Sequence, residues 1–368
     1  MKAIVSGGGS GGHIFPAVAI ANAIKKRWPE AEILFVGAEG RMEMEKVPAA
    51  GYAIKGLPIA GLQRQLTLRN LWKNLQLPFR MMKSNRMVKQ ILRQFGPDIV
   101  VGVGGFASEP TLKAASRLGY KTLLQEQNSY AGLTNKLLAR DAQAICVAYD
   151  GMERFFPREK IVFTGNPVRA DIEQMSCSRE EGLAHFGLKD TLPTVLVVGG
   201  SLGARSINQM MTVNLPALRG KEVQYIWQTG RWGYEQAVEA VEREGAADTV
   251  KVHQFIQRMD LAYAAADVVI SRAGAIAISE LCLVGKPVVL IPSPNVAEDH
   301  QTKNAMALVD KGAALMVADA ECGSKCIPIV ESLLADKGRM AAMSSAIKGM
   351  AVRGAADKIV DEIEKIVK

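Results

Sequence analysis

A chain of 368 residues is longer than one hydrophobic core ordinarily supports, so two domains are expected. Apolar residues make up 48% and charged residues 22%, which excludes a disordered chain, and no run of about 18 unbroken apolar residues offers a helical membrane span. The net charge of +8 is concentrated: no acidic residue lies between Glu45 and Asp98, while Lys46, Lys55, Arg64, Arg69, Lys73, Arg80, Lys83, Arg86, Lys89 and Arg93 all do. Such a block predicts an anionic partner, either nucleic acid or lipid headgroups.

Short apolar runs alternate with longer amphipathic stretches, the pattern of βαβ units, and the fold class is therefore α/β. The opening strand, Ala3–Ser6, runs straight into Gly7-Gly8-Gly9-Ser10-Gly11-Gly12, unlike a secretory signal, so the chain is expected to stay in the cytoplasm. Further strands in the first half are expected at Ile33–Gly37, Ile99–Val103, Thr122–Leu124, Ala144–Val147 and Ile161–Phe163. In the basic block Leu68, Leu71, Trp72, Leu75, Phe79 and Met82 recur at roughly helical spacing, a stripe that suits either a core or a membrane surface. Thr164-Gly165-Asn166-Pro167 reads as the linker. The second half repeats the plan with Val195–Val198 leading into Gly199-Gly200-Ser201-Leu202-Gly203, then Gln224–Trp227, Val250–His253, Val268–Ser271, Val288–Ile291 and Ala314–Val317. Two Rossmann-like domains follow, residues 1–166 and 167–350, with a last helix at about 351–368 packing back on the first.

The first glycine loop matches G-x-G-x-x-G, and Glu39 stands where a dinucleotide fold places its ribose carboxylate. Five glycines in six positions satisfy many patterns, however, and His13 and Ile14 replace the Lys and Ser/Thr of a P-loop NTPase. Glycines before a helix starting near Phe15-Pro16 let a ligand approach backbone N–H groups. In Ser271 to Glu280, Gly274 suits a helix N-terminus that receives a diphosphate, and Glu280 falls where a carboxylate can accept from ribose hydroxyls. Two polar clusters follow strands, Gln125 to Asn135 and Pro292 to Ala305, where an open parallel sheet gathers ligands. The five scattered cysteines argue against a disulfide framework, and the four histidines show no metal-ligand spacing.

Together these stretches resemble the MurG family of GT-B glycosyltransferases over essentially the whole chain. The likeness rests on Gly8 to Pro16, Gly104-Gly105-Phe106, Glu126 to Asn135, Gly165 to Arg169, Gly199-Gly200-Ser201, Arg272 to Glu280 and Gln301 to Ala305. It implies two Rossmann-like parallel-sheet domains facing a cleft. It also implies inverting transfer of N-acetylglucosamine from its UDP derivative to the 4-hydroxyl of undecaprenyl-diphosphate-linked N-acetylmuramyl-peptide, the step from lipid I to lipid II in peptidoglycan synthesis. The enzyme would sit peripherally on the cytoplasmic face of the inner membrane, bound to its anionic surface and open to partners in a cell-wall synthesis complex. The resemblance places Ser201 and Arg169 near the diphosphate, Ile256 beside the uracil, Ala275, Ile276, Ala277, Ile278, Ser279 and Glu280 along the helix and ribose, and Gln301 on the sugar. Ser10, Gly11, Gly12 and Asn128 belong to the substrate site from the first domain, with His13 and Glu126 catalytic on the acceptor side. An imidazole titrates near pH 6.5, which suits His13 as the base. Departures from the family are Ser10 for threonine, Gln125 for histidine, Phe106 for tyrosine and Glu109 for glycine.

No cofactor is expected, and with no Asp-x-Asp segment no metal site either, so amides and Arg169 are left to stabilise the leaving diphosphate. The rival readings are a UDP-N-acetylglucosamine epimerase or glycolipid synthase of the same architecture, a nicotinamide oxidoreductase using the first loop alone, and a basic nucleic-acid-binding protein. No DNA- or RNA-reading motif accompanies the basic block, so nucleic acid is not an expected partner.

Overall fold

The computed structural model describes residues 1–9, 11–59, 77–200 and 202–368. Ser10, Ser201 and much of the basic block, including Leu68, Leu71, Trp72 and Leu75, lie outside the described residues. The chain forms two units, Met1–Val168 with Gly354–Lys368, and Arg169–Arg353.

The first unit is built on seven parallel strands: β1 (Lys2–Ser6), β2 (Glu32–Ala38), β3 (Ala53–Leu57), β4 (Ile99–Gly102), β5 (Thr122–Glu126), β6 (Ala144–Val147) and β7 (Ile161–Phe163). Their order is β3-β2-β1-β4-β5-β6-β7. Side chains alternate between two cores. Ala3, Val5, Ile99 and Val101 face one core together with α1 (Gly11–Arg27), whereas Ile4, Val36, Val100 and Leu124 face another. Burial on both faces explains why these strands read as unbroken apolar runs. Each fully buried Ile or Val contributes about 1.5–3 kcal/mol relative to exposure. β3 was not foreseen: it is an edge strand with Lys55 and Gly56 in it, so its apolar signal is weak.

The strands are joined by α2 (Glu43–Ala49), α3 (Leu77–Phe95), α4 (Ser108–Arg117) and α5 (Leu133–Leu138). The α1 helix begins at Gly11, not near Phe15, so His13 lies in its first turn. Pro16 sits inside the helix and leaves the Gly12 carbonyl without its N–H, which is tolerated because Gly12 is exposed. In α3, Val88 and Leu92 join the core, while Lys83, Arg86, Lys89 and Arg93 line the exposed side beside exposed Met81 and Met82.

The second unit has six parallel strands, β8 (Thr194–Val198), β9 (Gln224–Gln228), β10 (Val250–His253), β11 (Val268–Ser271), β12 (Val288–Leu290) and β13 (Leu315–Met316), in the order β10-β9-β8-β11-β12-β13. Its helices are α6 (Ala170–Glu173), α7 (Arg179–Phe186), α8 (Arg205–Leu218), α9 (Tyr234–Arg243), α10 (Met259–Ala265), α11 (Ala275–Val284), α12 (His300–Val309), α13 (Cys322–Ala335) and α14 (Lys337–Lys348). All five cysteines are free, and Cys322 and Cys326 are buried in the core of this unit.

The last helix, α15 (Ala355–Val367), returns to the first unit. Ile359, Val360 and Ile363 join the α1 core, and Arg27 pairs with Asp361 and Glu364 at 2.6 Å each. Exposed pairs of this kind add only about 0–1 kcal/mol, so the apolar face does most of the holding. No described helix is long and apolar enough to cross a membrane.

Candidate active site

Each sheet has a switch point where successive connections leave in opposite directions, and ligands collect beyond the strand ends there. In the first unit it lies between β1 and β4. The loop after β1 carries the glycines, and the loop after β4 carries Gly104, Gly105 and Phe106. The two loops pack so closely that a methyl group on Gly105 would stand 2.3 Å from the Gly8 carbonyl oxygen. One on Gly104 would stand 2.9 Å from His13 Cδ2, so this glycine makes room for the imidazole. Both glycines have φ above +80°, where a side chain is also strained.

Glu126 ends β5 and is buried. Its Oε1 accepts from the backbone N–H of Asn128 at 3.0 Å and from Asn128 Nδ2 at 3.2 Å, and its Oε2 accepts from Gly132 N at 3.0 Å and Asn135 Nδ2 at 2.9 Å. Four donors therefore fold the 126–135 loop around this carboxylate. Such a group holds a loop in shape. Beneath it Gln125 donates to Asn166 Oδ1 at 3.0 Å, and Asn166 donates to the Gln127 carbonyl at 3.0 Å. Gln125, at the position the family often fills with histidine, is thus part of a buried amide network.

In the second unit the switch point lies between β8 and β11. Beyond β11, Gly274 is the N-cap of the ten-residue α11, whose unpaired N–H groups and dipole favour an anion. Glu280 is buried on this helix. Its Oε1 accepts from Arg169 Nε at 3.2 Å and its Oε2 from the Tyr263 hydroxyl at 3.2 Å. Burial pushes the Glu280 carboxyl above its ordinary range, opposed by the Arg169 charge, and burial raises the Tyr263 phenol further. Ala275 and Ile278 point into packed surroundings, Ile278 in the core itself, so α11 can offer a ligand its backbone there but not the Ile278 side chain. Ile276, Ala277 and Ser279 are half-buried, with the Ser279 hydroxyl donating to the Ala275 carbonyl at 3.0 Å.

Ile256 is also buried, and its N–H donates to Gln228 Oε1 at 2.8 Å. Gln228 in turn donates to the Gly200 carbonyl at 3.2 Å, tying the second glycine loop to the segment after β10. A pocket of about 270 Å³ opens beside Ile256, lined by His185, Phe186, His253, Phe255, Gln257 and Arg258. Gln301, at the start of α12, accepts from Ser293 N at 2.8 Å and so orders the polar loop before it. Arg272 donates to the Ile291 and Pro292 carbonyls and to Ser206, and pairs with Asp319, which pins three loops of this unit together. Gln228 was not singled out from sequence, and Arg272 entered only as the first residue of a motif, since nothing local marks which polar side chain will bridge loops so distant in the chain. No group of three His, Cys, Asp or Glu side chains is set to hold a metal among the described residues.

Residues 3–147 match the model of the glycosyltransferase family 28 N-terminal domain, and residues 194–359 that of the glycosyltransferase family 28 C-terminal domain. The fold superimposes on a crystal structure of MurG from Acinetobacter baumannii with a TM-score of 0.78, at 28% identity, covering 99% of both chains. A relative from Parabacteroides distasonis is 56% identical over 100% of this chain and 98% of its own. One from Bacteroides fragilis is 53% identical over 100% of this chain and 96% of its own. Both are named UDP-N-acetylglucosamine--N-acetylmuramyl-(pentapeptide) pyrophosphoryl-undecaprenol N-acetylglucosamine transferase. The chain belongs to the MurG family of glycosyltransferases. It is accordingly a glycosyltransferase of two parallel-sheet Rossmann-like domains. A UDP-N-acetylglucosamine 2-epimerase from Neisseria meningitidis, at 15% identity and a TM-score of 0.66, shares the fold alone. For this MurG-family chain the oxidoreductase and nucleic-acid readings fall away, because both glycine loops and both family domains are accounted for together.

Proposed function

We propose that the protein transfers N-acetylglucosamine from UDP-N-acetylglucosamine to undecaprenyl-diphosphate-linked N-acetylmuramyl-peptide. What carries this reading is the end-to-end likeness to relatives named for that transfer. The acceptor's 4-hydroxyl oxygen forms a bond to the anomeric carbon as the bond to the UDP oxygen breaks, inverting the centre. The hydroxyl proton passes to His13, and UDP carries away the electron pair. The second unit holds the donor, with the ribose at Glu280, the diphosphate near Arg169 and the start of α11, the base beside Ile256 and the sugar at Gln301. Negative charge growing on the departing diphosphate is met by the α11 amides and the Arg169 guanidinium. In the first unit His13 is the base on the acceptor side, and Gly11, Gly12 and Asn128 are this unit's contacts with the donor. Glu126, the other residue on the acceptor side, shapes the 126–135 loop. Incubation with UDP-N-acetylglucosamine and the lipid-linked muramyl-peptide should give the lipid-linked disaccharide and stoichiometric UDP. UDP-N-acetylglucosamine consumed without any acceptor would instead favour epimerase chemistry.

The acceptor is lipid-borne, which leads us to place the protein peripherally at an anionic membrane surface through the basic face of α3 and its exposed Met81 and Met82. A basic residue near such a surface contributes roughly 1 kcal/mol, reduced by salt. The protein should float with anionic liposomes at low salt, and equal recovery with neutral ones would remove the electrostatic part.

A further inference from the structure

Glu43 is a carboxylate for which the proposed reaction has no use, and it is fully buried at 0% exposure. Among the described residues it makes no ion pair. Its partners are two backbone amides, Gly9 N donating to Oε2 and Ala38 N donating to Oε1, both at 3.0 Å. Burying a carboxyl group away from water is costly, and two amide donors offset only part of that cost.

Its role lies in what surrounds it. A methyl group on Gly8 would stand 2.2 Å from Glu43 Oε1, and one on Gly37 would stand 2.6 Å from Glu43 Cγ. Gly8 and Gly37 are glycines because this side chain fills the space beside them, not because a ligand approaches there. Through Gly9 and Ala38 the carboxylate bridges the ends of the neighbouring strands β1 and β2. The fixed loop is then clamped from the other side, where Gly105 meets the Gly8 carbonyl and Gly104 meets the His13 ring. Glutamate, loop and imidazole form one contiguous packed chain.

We propose that Glu43 is a positioning residue for His13, holding the first glycine loop in the one conformation that delivers the imidazole to the acceptor. The proposal rests on the reading of His13 as the base. Glu43→Gln keeps the shape, but its NH₂ must face one of the two amide donors, so the loop has to move.

The test is a double-mutant cycle in the full chain, with Glu43→Gln made in the native and His13→Ala backgrounds. Measured are kcat, KM for both substrates, UDP affinity by calorimetry and the melting temperature. In the native background kcat should fall about 10–100-fold, the scale of a displacement near 1 Å at a reacting group. UDP affinity should hold within about twofold, since UDP is assigned to the other unit. In the His13→Ala background the same substitution should change the residual rate by less than about twofold, because residues acting through one another are not additive. Should Glu43→Gln fail to fold, Glu43→Asp, which keeps the charge but reaches only one amide, carries the same expectations. Full turnover of a folded Glu43 variant beside a crippled His13→Ala enzyme would overturn this proposal alone. Equal losses in both backgrounds would also overturn it, by showing that Glu43 does not act through His13. Near-normal turnover of His13→Ala would overturn the base assignment and this proposal together.

Discussion

Replacing Glu280 with alanine tests the donor site at its most specific point. A carboxylate offers about four lone-pair sites. Arg169 and Tyr263 take one on each oxygen, at 3.2 Å, which leaves one on each for the two hydroxyls of a ribose. A hydrogen bond to a charged group contributes about 1.5–3 kcal/mol. Two would give about 3–6 kcal/mol, but water re-enters the truncated site, so a loss near 3 kcal/mol, or about 100-fold in UDP affinity, is expected. The fold should survive, because the Arg169 side chain is one-third exposed and Asp171 stands 3.9 Å away as a second partner. Calorimetry with UDP and 2′-deoxy-UDP gives the sharper comparison. The native enzyme should bind the deoxy compound about tenfold more weakly, and the alanine enzyme should not distinguish the two.

The pH dependence follows from the raised Glu280 carboxyl. Its folded pKa lies above the unfolded value near 4.3, so the unliganded fold bears an ionisation penalty above the folded pKa, which is relieved as pH falls through it. UDP needs the ionised form, so its affinity should weaken over that same fall. A well-folded Glu280→Ala protein that binds UDP within twofold of native, or still prefers UDP over its deoxy analogue, would refute the assignment.

Two other outcomes bear on the chemistry. His13→Ala should lower kcat by about 10²–10⁴-fold, the usual loss for a general base, while leaving calorimetric UDP affinity unchanged. Turnover should persist in EDTA, because no Asp-x-Asp segment is present and α11 amides with Arg169 can meet the diphosphate charge. Activity lost to EDTA and restored by Mg²⁺ would reverse that view.

The strands were legible because parallel strands buried on both faces must be apolar throughout, whereas β3, an edge strand with Lys55 and Gly56 among its five residues, shows no apolar run. The start of α1 was misplaced because Pro16 looks like a first-turn residue, yet lies inside the helix. Glu280 and Arg169 could be named through the family motif, but that they pair with each other across 111 residues is a tertiary fact. Glu43 was invisible for a related reason. In Arg41-Met42-Glu43-Met44-Glu45 two acids alternate, and nothing local says that Glu43 is buried while Glu45 is exposed.

The two glycine loops look interchangeable as strings, and their surroundings separate them. In the second unit a methyl on Gly203 would stand 2.0 Å from the Thr229 carbonyl oxygen, and one on Gly230 would stand 2.1 Å from Gly203 N. There too glycines let backbone pack on backbone, but the buried side chain that ties the loop down is the neutral amide of Gln228. In the first unit it is the carboxyl group of Glu43, which takes up the Gly9 amide. The second loop lies in the unit that also bears Arg169 and the start of α11, which makes it the better host for the donor diphosphate. The surroundings of each motif, not the glycines within it, make that distinction.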